Sequence, residues 1–227
     1  MNKYKSNKSY LCRFAVLLVV VAVCAVAGCV KLERPSLDRK YYTLDVVRAE
    51  KQKNEVKAVK NLIVRRVKIS PRYEDRDLVY KMGDNVFEAD YYNSFFVPPA
   101  ALVTQELRVW MGNSGIFANV LGPESLGTGE LLLEGVVNSI YGDYSGPEPK
   151  AVIRMQFILL NNSNPDLPIV YSRDFSRDIV IGATGPAALV KAMNKGLTEI
   201  FVELEKDLAE TVRANHFDSA AGYSQEK

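Results

Sequence analysis

Few side chains in this chain are of a type that supports covalent or acid–base chemistry, and their spacing restricts what that chemistry is. The 227 residues include one histidine, His216, and three cysteines, Cys12, Cys24 and Cys29. His216 lies beyond the last apolar period, near the carboxyl end, so a His-based triad or a His-rich metal site has no second member. Glu74, Asp75 and Asp77 are spaced like a carboxylate pair, but Arg72 and Arg76 sit among them and make a self-compensating surface loop the better reading. Gly182-Ala183-Thr184-Gly185-Pro186 precedes a helical pattern yet lacks the lysine and the glycine spacing of a phosphate loop, and it reads as a helix start. No catalytic residue, metal-ligating set or cofactor site is therefore expected in the folded part. The thiol of Cys29, preceded by Val26-Ala27-Gly28, is the remaining reactive group.

The residues before Cys29 explain what its thiol is for. Lys3, Lys5, Lys8 and Arg13 form a positive start, Phe14 to Ala27 is almost wholly apolar, and Ala25, Ala27 and Gly28 crowd its end. That run is short of the roughly 20 apolar residues a membrane span needs, although an uncleaved anchor stays open as an alternative. Val26-Ala27-Gly28-Cys29 resembles the lipobox of bacterial lipoprotein signal peptides. The resemblance implies that Cys29 takes a diacylglyceryl group, that cleavage falls between Gly28 and Cys29, and that the new amino terminus is acylated. Cys24 is the weaker site because Val23 precedes it where glycine or alanine is wanted. The mature chain would keep Cys29 alone among the cysteines, leaving no disulfide framework. Each acyl chain adds roughly 0.8 kcal/mol per buried CH₂, and two or more give stable anchoring. Val30 stands where Gram-negative lipoproteins retained in the inner membrane carry aspartate. By that likeness the anchor is expected in the outer membrane, facing the periplasm, with the inner membrane as the alternative.

Behind the anchor, residues 29–40 read as a polar tether containing Pro35 and Ser36, 41–213 as one α+β domain, and 214–227 as a polar tail. The net charge is +2, with acids and bases interleaved, so no basic stripe suggests nucleic acid. Strands are expected at Tyr41–Val47, Leu62–Ile69 (stopped by Pro71), Leu78–Lys81, Val86–Ala89 and Ile116–Leu121. The longest, Leu131–Tyr144, Ala151–Leu160 and Ile169–Ile181, read as a meander. Arg48 to Lys60 is a solvated connector. Pro98-Pro99 opens one helix, with Val103, Leu107 and Trp110 at helical spacing, Leu102, Val109 and Met111 widening the stripe, and Gly112 and Gly115 closing it. Pro186 lies in the first turn of the second, whose Leu189, Met193, Leu197, Ile200, Leu204 and Leu208 form one apolar face. Gly196 inside that helix costs about 1 kcal/mol relative to alanine, which points to close packing there. Two amphipathic helices on one face of a mainly antiparallel, partly mixed sheet make a two-layer α+β sandwich.

Several stretches then fit one pattern together: Tyr41-Tyr42-Thr43-Leu44 after the lipobox, Pro71-Arg72-Tyr73-Glu74-Asp75-Arg76 leading into Leu78-Val79-Tyr80-Lys81, Tyr91-Tyr92-Asn93-Ser94-Phe95 before Pro98-Pro99, Ser114-Gly115-Ile116-Phe117, and Ala188-Leu189-Val190-Lys191-Ala192. In their order and spacing, from Cys29 to about Arg213, they resemble the ABC-type transport auxiliary lipoprotein family. The resemblance implies a non-catalytic accessory subunit without a cofactor. The partners it implies are a mammalian-cell-entry (MCE) domain protein and ABC transporter subunits, in a system carrying phospholipid between inner and outer membranes. A homo-oligomer is left open. So are two alternatives, an envelope-assembly lipoprotein partnering an outer-membrane barrel and a carboxylate-dependent periplasmic hydrolase.

The candidate partner-binding residues are Tyr91, Tyr92, Phe95 and Phe96. Either these rings staple the following helix to the core, or Tyr91 and Tyr92 stay exposed and anchor a partner. The lipobox makes its own prediction. Cys29→Ala leaves the precursor unacylated, so incorporation of labelled palmitate disappears, and label persisting on that variant refutes the motif.

Overall fold

A computed structural model describes residues 13, 38–48 and 60–214, and the chain divides between Asp38 and Arg39, the fold being that of the second unit. Gly28, Cys29 and His216 lie outside the described residues, as do most of the expected connector and the polar tail. The elements are β1 (Lys40–Tyr42), β2 (Asn61–Val64), β3 (Lys68–Ile69), a 3₁₀ turn at Pro71–Tyr73, β4 (Asp77–Gly83), β5 (Val86–Phe95), α1 (Pro99–Asn113), β6 (Asn119–Leu121), β7 (Leu131–Asp143), β8 (Lys150–Asn161), β9 (Ile169–Val180) and α2 (Pro186–Ala214). They make an α+β fold with a mixed nine-stranded sheet.

The sheet is built on β7. One of its edges pairs antiparallel with β8 along nearly its whole length, and β9 continues the meander. Its other edge is shared by three short parallel partners in succession: β2 opposite Leu131–Leu133, β3 opposite Val136 and Val137, and β4 opposite Gly142 and Asp143. The sheet therefore forks. One branch runs through β2 to β6, the other through β4 and β5 to β1. A bulge between Val137 and Ser139 changes the side-chain parity of β7, so that Leu131, Leu133 and Val137 before it and Ile140 after it all reach the core.

The strict alternation in β8 behaves as its sequence dictates: Ala151, Ile153, Met155, Phe157 and Leu159 are buried, while Arg154 and Gln156 on the opposite face are partly exposed. Phe157 is the hub of the core, edge-on to Phe175 and Phe201, and Phe201 in turn meets Trp110 of α1. The expected stripe of α2, from Leu189 through Leu208, is fully buried, each side chain contributing roughly 1.5–3 kcal/mol by leaving water. Gly196 lies where that helix touches the sheet, and a Cβ there would come within 2.8 Å of Ile153 Cδ1. On the rim of this contact Arg173 pairs with Glu203 and Asp207, Arg177 with Glu199 and Glu203, and the Tyr171 hydroxyl donates to Asp207. No helix among the described residues is long and apolar enough to cross a membrane.

Four local expectations are corrected. The first strand ends at Tyr42 instead of Val47. Leu44 and Val46 are still buried in alternation, but their segment lies against the helices, where Asp45 N–H donates to Asn194 Oδ1 and Val46 N–H to Glu106 Oε2. The strand expected over Leu62–Ile69 is broken, because Val67 N–H donates to Thr104 Oγ1 on α1 and leaves the ladder. Only Asn119–Leu121 of the segment Ile116–Leu121 is strand, since Ile116 and Phe117 fold into the core as a bend. Val109 does not widen the stripe of α1 but faces outward, 45% exposed.

The extended segment after β1 is closed by a buried ion pair. Arg48 donates Nε to Glu205 Oε2 at 3.0 Å and Nη2 to Oε1 at 2.7 Å, and Trp110 Nε1 donates to Oε2 at 2.8 Å. Glu205 is 9% exposed, so removing it takes one carboxylate from the part-buried Arg48 guanidinium and from the buried Trp110 indole N–H. Glu205→Ala is expected to lower unfolding free energy by ~2–3 kcal/mol, measured by urea denaturation. A change below about 1 kcal/mol would show that water replaces the carboxylate.

Candidate functional site

The residues that stand out physically are on the outer branch of the fork, where β1 pairs parallel with the end of β5: Lys40 opposite Asn93, Tyr41 opposite Ser94 and Tyr42 opposite Phe95. In the β4–β5 hairpin, Leu78 is opposite Asp90 but its neighbour Asp77 is opposite Ser94, so Tyr91, Tyr92 and Asn93 form a bulge with no counterpart in β4. Bulges of this kind re-aim side chains. Here the result is that Tyr91 and Tyr92 project from the sheet, 65% and 41% exposed, with their rings edge-on at 5.2 Å.

The bulge is pinned by one carboxylate. Asp90 Oδ1 accepts from the backbone N–H groups of Tyr92 at 2.9 Å and Asn93 at 3.0 Å, and Oδ2 accepts from the Tyr80 hydroxyl at 2.8 Å and Asn93 Nδ2 at 2.9 Å. The Tyr42 hydroxyl extends the network by donating to Asn93 Oδ1. Partial burial acts to raise the Asp90 pKa, but these hydrogen bonds to the ionised form outweigh it and hold the group below its ordinary value. Burial, and then the bond to Asp90, push the Tyr80 hydroxyl well above its usual range, keeping it a donor.

Two further rings and a cation complete a platform. Phe96 is 66% exposed and Tyr41 49%, and they meet edge-on at 6.2 Å. Arg39, two residues before Tyr41 and so on the same face of the extended chain, joins the pairs. Its guanidinium lies 4.5 Å over the Tyr91 ring and its Nε donates to Tyr91 O, while Nη2 stands 3.7 Å from Asp77.

Of the four aromatic residues proposed from sequence, Tyr91, Tyr92 and Phe96 come together at this surface. Phe95 does not. It is 2% exposed and belongs to the core cluster. Sequence reasoning missed Arg39, Tyr41 and Asp90. The signal for Asp90 was present, since an aspartate accepting from the N–H groups two and three residues on is an ordinary local turn device.

The other sequence candidates have structural roles. Asp77 accepts from Ser94 Oγ, Tyr73 is buried and stacks on Tyr141, and Gly185 takes a positive φ of 94° in the turn before α2. Beside that stacked pair, Arg72, Tyr73, Val79, Asn85 and Phe87 line an open cleft of about 390 Å³. Among the described residues no three His, Cys, Asp or Glu side chains are grouped to hold a metal ion.

This platform of rings and one cation lies at the edge of the sheet, and the class of protein that the fold defines is an α+β sandwich. More particularly, the chain belongs to the family of the ABC-type transport auxiliary lipoprotein component, whose model matches residues 42–205. Membership makes it an auxiliary lipoprotein of ABC-type transport and places it with lipid-anchored envelope proteins. The fold agrees with that of a Xanthomonas campestris protein of family DUF330, at 20% identity over 79% of this chain and 100% of that one, with a TM-score of 0.68. A second crystal structure, of an uncharacterized protein, is similar over 75% of this chain and 99% of its own at 17% identity, with a TM-score of 0.60. No curated protein matches the chain.

Asp90 yields a test of how the bulge is held. Asp90→Ala is expected to lower stability at neutral pH by roughly 1–3 kcal/mol, the scale of stranding bonded groups. Because the folded pKa is depressed, the wild-type carboxylate stabilises above the ordinary aspartate value of about 3.9, and that contribution is lost as pH falls through the folded pKa. Urea midpoints of wild type and variant should therefore converge in acid. A gap that stays constant from pH 7 to about 3 would contradict the assignment.

Proposed function

We propose that this chain is a non-catalytic docking subunit, acylated at Cys29 and held in the outer membrane facing the periplasm, for an ABC-type system whose MCE-domain protein carries phospholipid between the two membranes. The supporting observation is the family match across residues 42–205, following directly on a lipobox at the head of the chain. The architecture fits this role. The core is closed by apolar packing and satisfied polar groups, and no side-chain N or O atom buried in the described residues lacks a hydrogen-bond partner. The outward features are sheet edges and rings, which hold a neighbour in place without altering it.

In this reading the anchor and the domain divide the work. Acyl chains fix where the protein is, and the sheet presents a surface to the subunit that arrives there. Capture of the tagged, acylated full chain from cross-linked envelopes is expected to bring down an MCE-domain protein with an ABC permease and ATPase. Deleting its gene is expected to raise envelope permeability. Capture of an outer-membrane barrel without any transport subunit would overturn the reading in favour of an assembly lipoprotein. Turnover of an envelope ester or glycoside by the purified chain would overturn its non-catalytic part.

A further inference from the structure

We propose that the aromatic platform of Tyr41, Tyr91, Tyr92 and Phe96 rests on the phospholipid surface in which the chain is anchored, with Arg39 against lipid phosphate. The inference rests on acylation at Cys29 and goes beyond it, because an anchor alone leaves the domain free to present any side to the membrane.

Three observations favour a lipid surface. First, nine residues, 30–38, separate Cys29 from Arg39, and even fully extended they reach only about 35 Å. β1 is the first element of the fold, so its edge is the part of the domain tied nearest to the bilayer along the chain. Second, the chemistry is that of a membrane interface. Exposed tyrosine rings, one bare phenyl ring and a flanking arginine suit the headgroup layer, where amphipathic aromatics settle and basic side chains meet phosphate. Third, the platform is small. Four rings and one cation fall far short of the roughly 20–30 residues a side of a standard protein interface. A membrane contact has no such requirement, since the acyl chains already supply the affinity and the rings need only select an orientation. The exposure is also built in: the bulge that expels Tyr91 and Tyr92 is fixed by four hydrogen bonds to Asp90.

The test uses the full, acylated chain on vesicles of phosphatidylethanolamine and phosphatidylglycerol carrying brominated acyl chains, which quench tryptophan only at short range. The native Trp110 is 2% exposed and is common to every variant. A reporter is added by Phe96→Trp on the platform or, as a control, by Val202→Trp on α2, where the side chain is 55% exposed. The expected result is loss of most of the added emission in the Phe96→Trp variant and no loss in Val202→Trp. Equal quenching in both overturns the inference, since the domain then has no fixed side to the membrane. No quenching in either, with protein that still floats with the vesicles, also overturns it and leaves the anchoring reading intact. A photo-cross-linking residue at position 96 would in that case show whether a second copy or a transport subunit covers the platform. Protein that fails to float overturns the anchoring reading and this inference together.

Discussion

Strand β7 meets different demands along its two edges, and the rest of the molecule follows from how it meets them. On one side β8 runs antiparallel to it from end to end. On the other, no single strand could pair along its full length, because the segments that arrive there also have to reach the helices. Arg65 N–H still donates to Leu133 O and Ser70 N–H to Val137 O, while Val67 between them turns away to Thr104. The ladder is thus maintained by three short strands in turn, and the sheet opens into two branches. One branch carries the hydrophobic support of α1. The other runs through β4 and β5 to β1 at the edge of the sheet.

That separation explains how one sheet serves stability and display together. Under α2 the inner face is a dry seam of aliphatic and aromatic side chains, with its cations and carboxylates confined to the rim, where water still reaches them. The segment that follows β1 crosses the helices, and its backbone N–H groups are met by Asn194 and Glu106 in place of a strand. Glu205 completes that crossing by accepting from Arg48 and Trp110. The same economy of polar satisfaction operates at the far edge, where Asp90 replaces the partner strand that the bulge has lost. In both places a carboxylate takes over the role of a ladder and lets the chain leave regular pairing.

In this protein, whose family works as an accessory to transport, the arrangement leaves an aromatic surface exposed at the periphery. Its parts with large burial and strong alternation hold the scaffold, and the exposed rings sit on the branch that ends in β1. In the proposed reading, an acyl anchor restricts distance and the sheet edge presents chemistry.

The sequence by itself determined the α+β class, the meander and the interior of both helices, because each rests on local periodicity. Period-2 alternation in Ala151–Leu159 and the four-and-three spacing from Leu189 to Leu208 have one physical solution each, and both are found buried as patterned. What only the tertiary structure decided were choices between satisfying a backbone group in a strand or elsewhere. Thr43–Val46 alternates like a strand but is bonded to helices, and Leu62–Ile69 breaks at Val67 for a hydroxyl thirty-seven residues away in the chain. The aromatic cluster shows the same limit. Composition identified Tyr91, Tyr92, Phe95 and Phe96 as a group, but a bulge changes side-chain parity without leaving a period to read. Burial of Phe95, exposure of the other three, and the addition of Arg39 and Tyr41 from a strand some fifty residues earlier were fixed by parallel pairing and by the hydrogen bonds of Asp90.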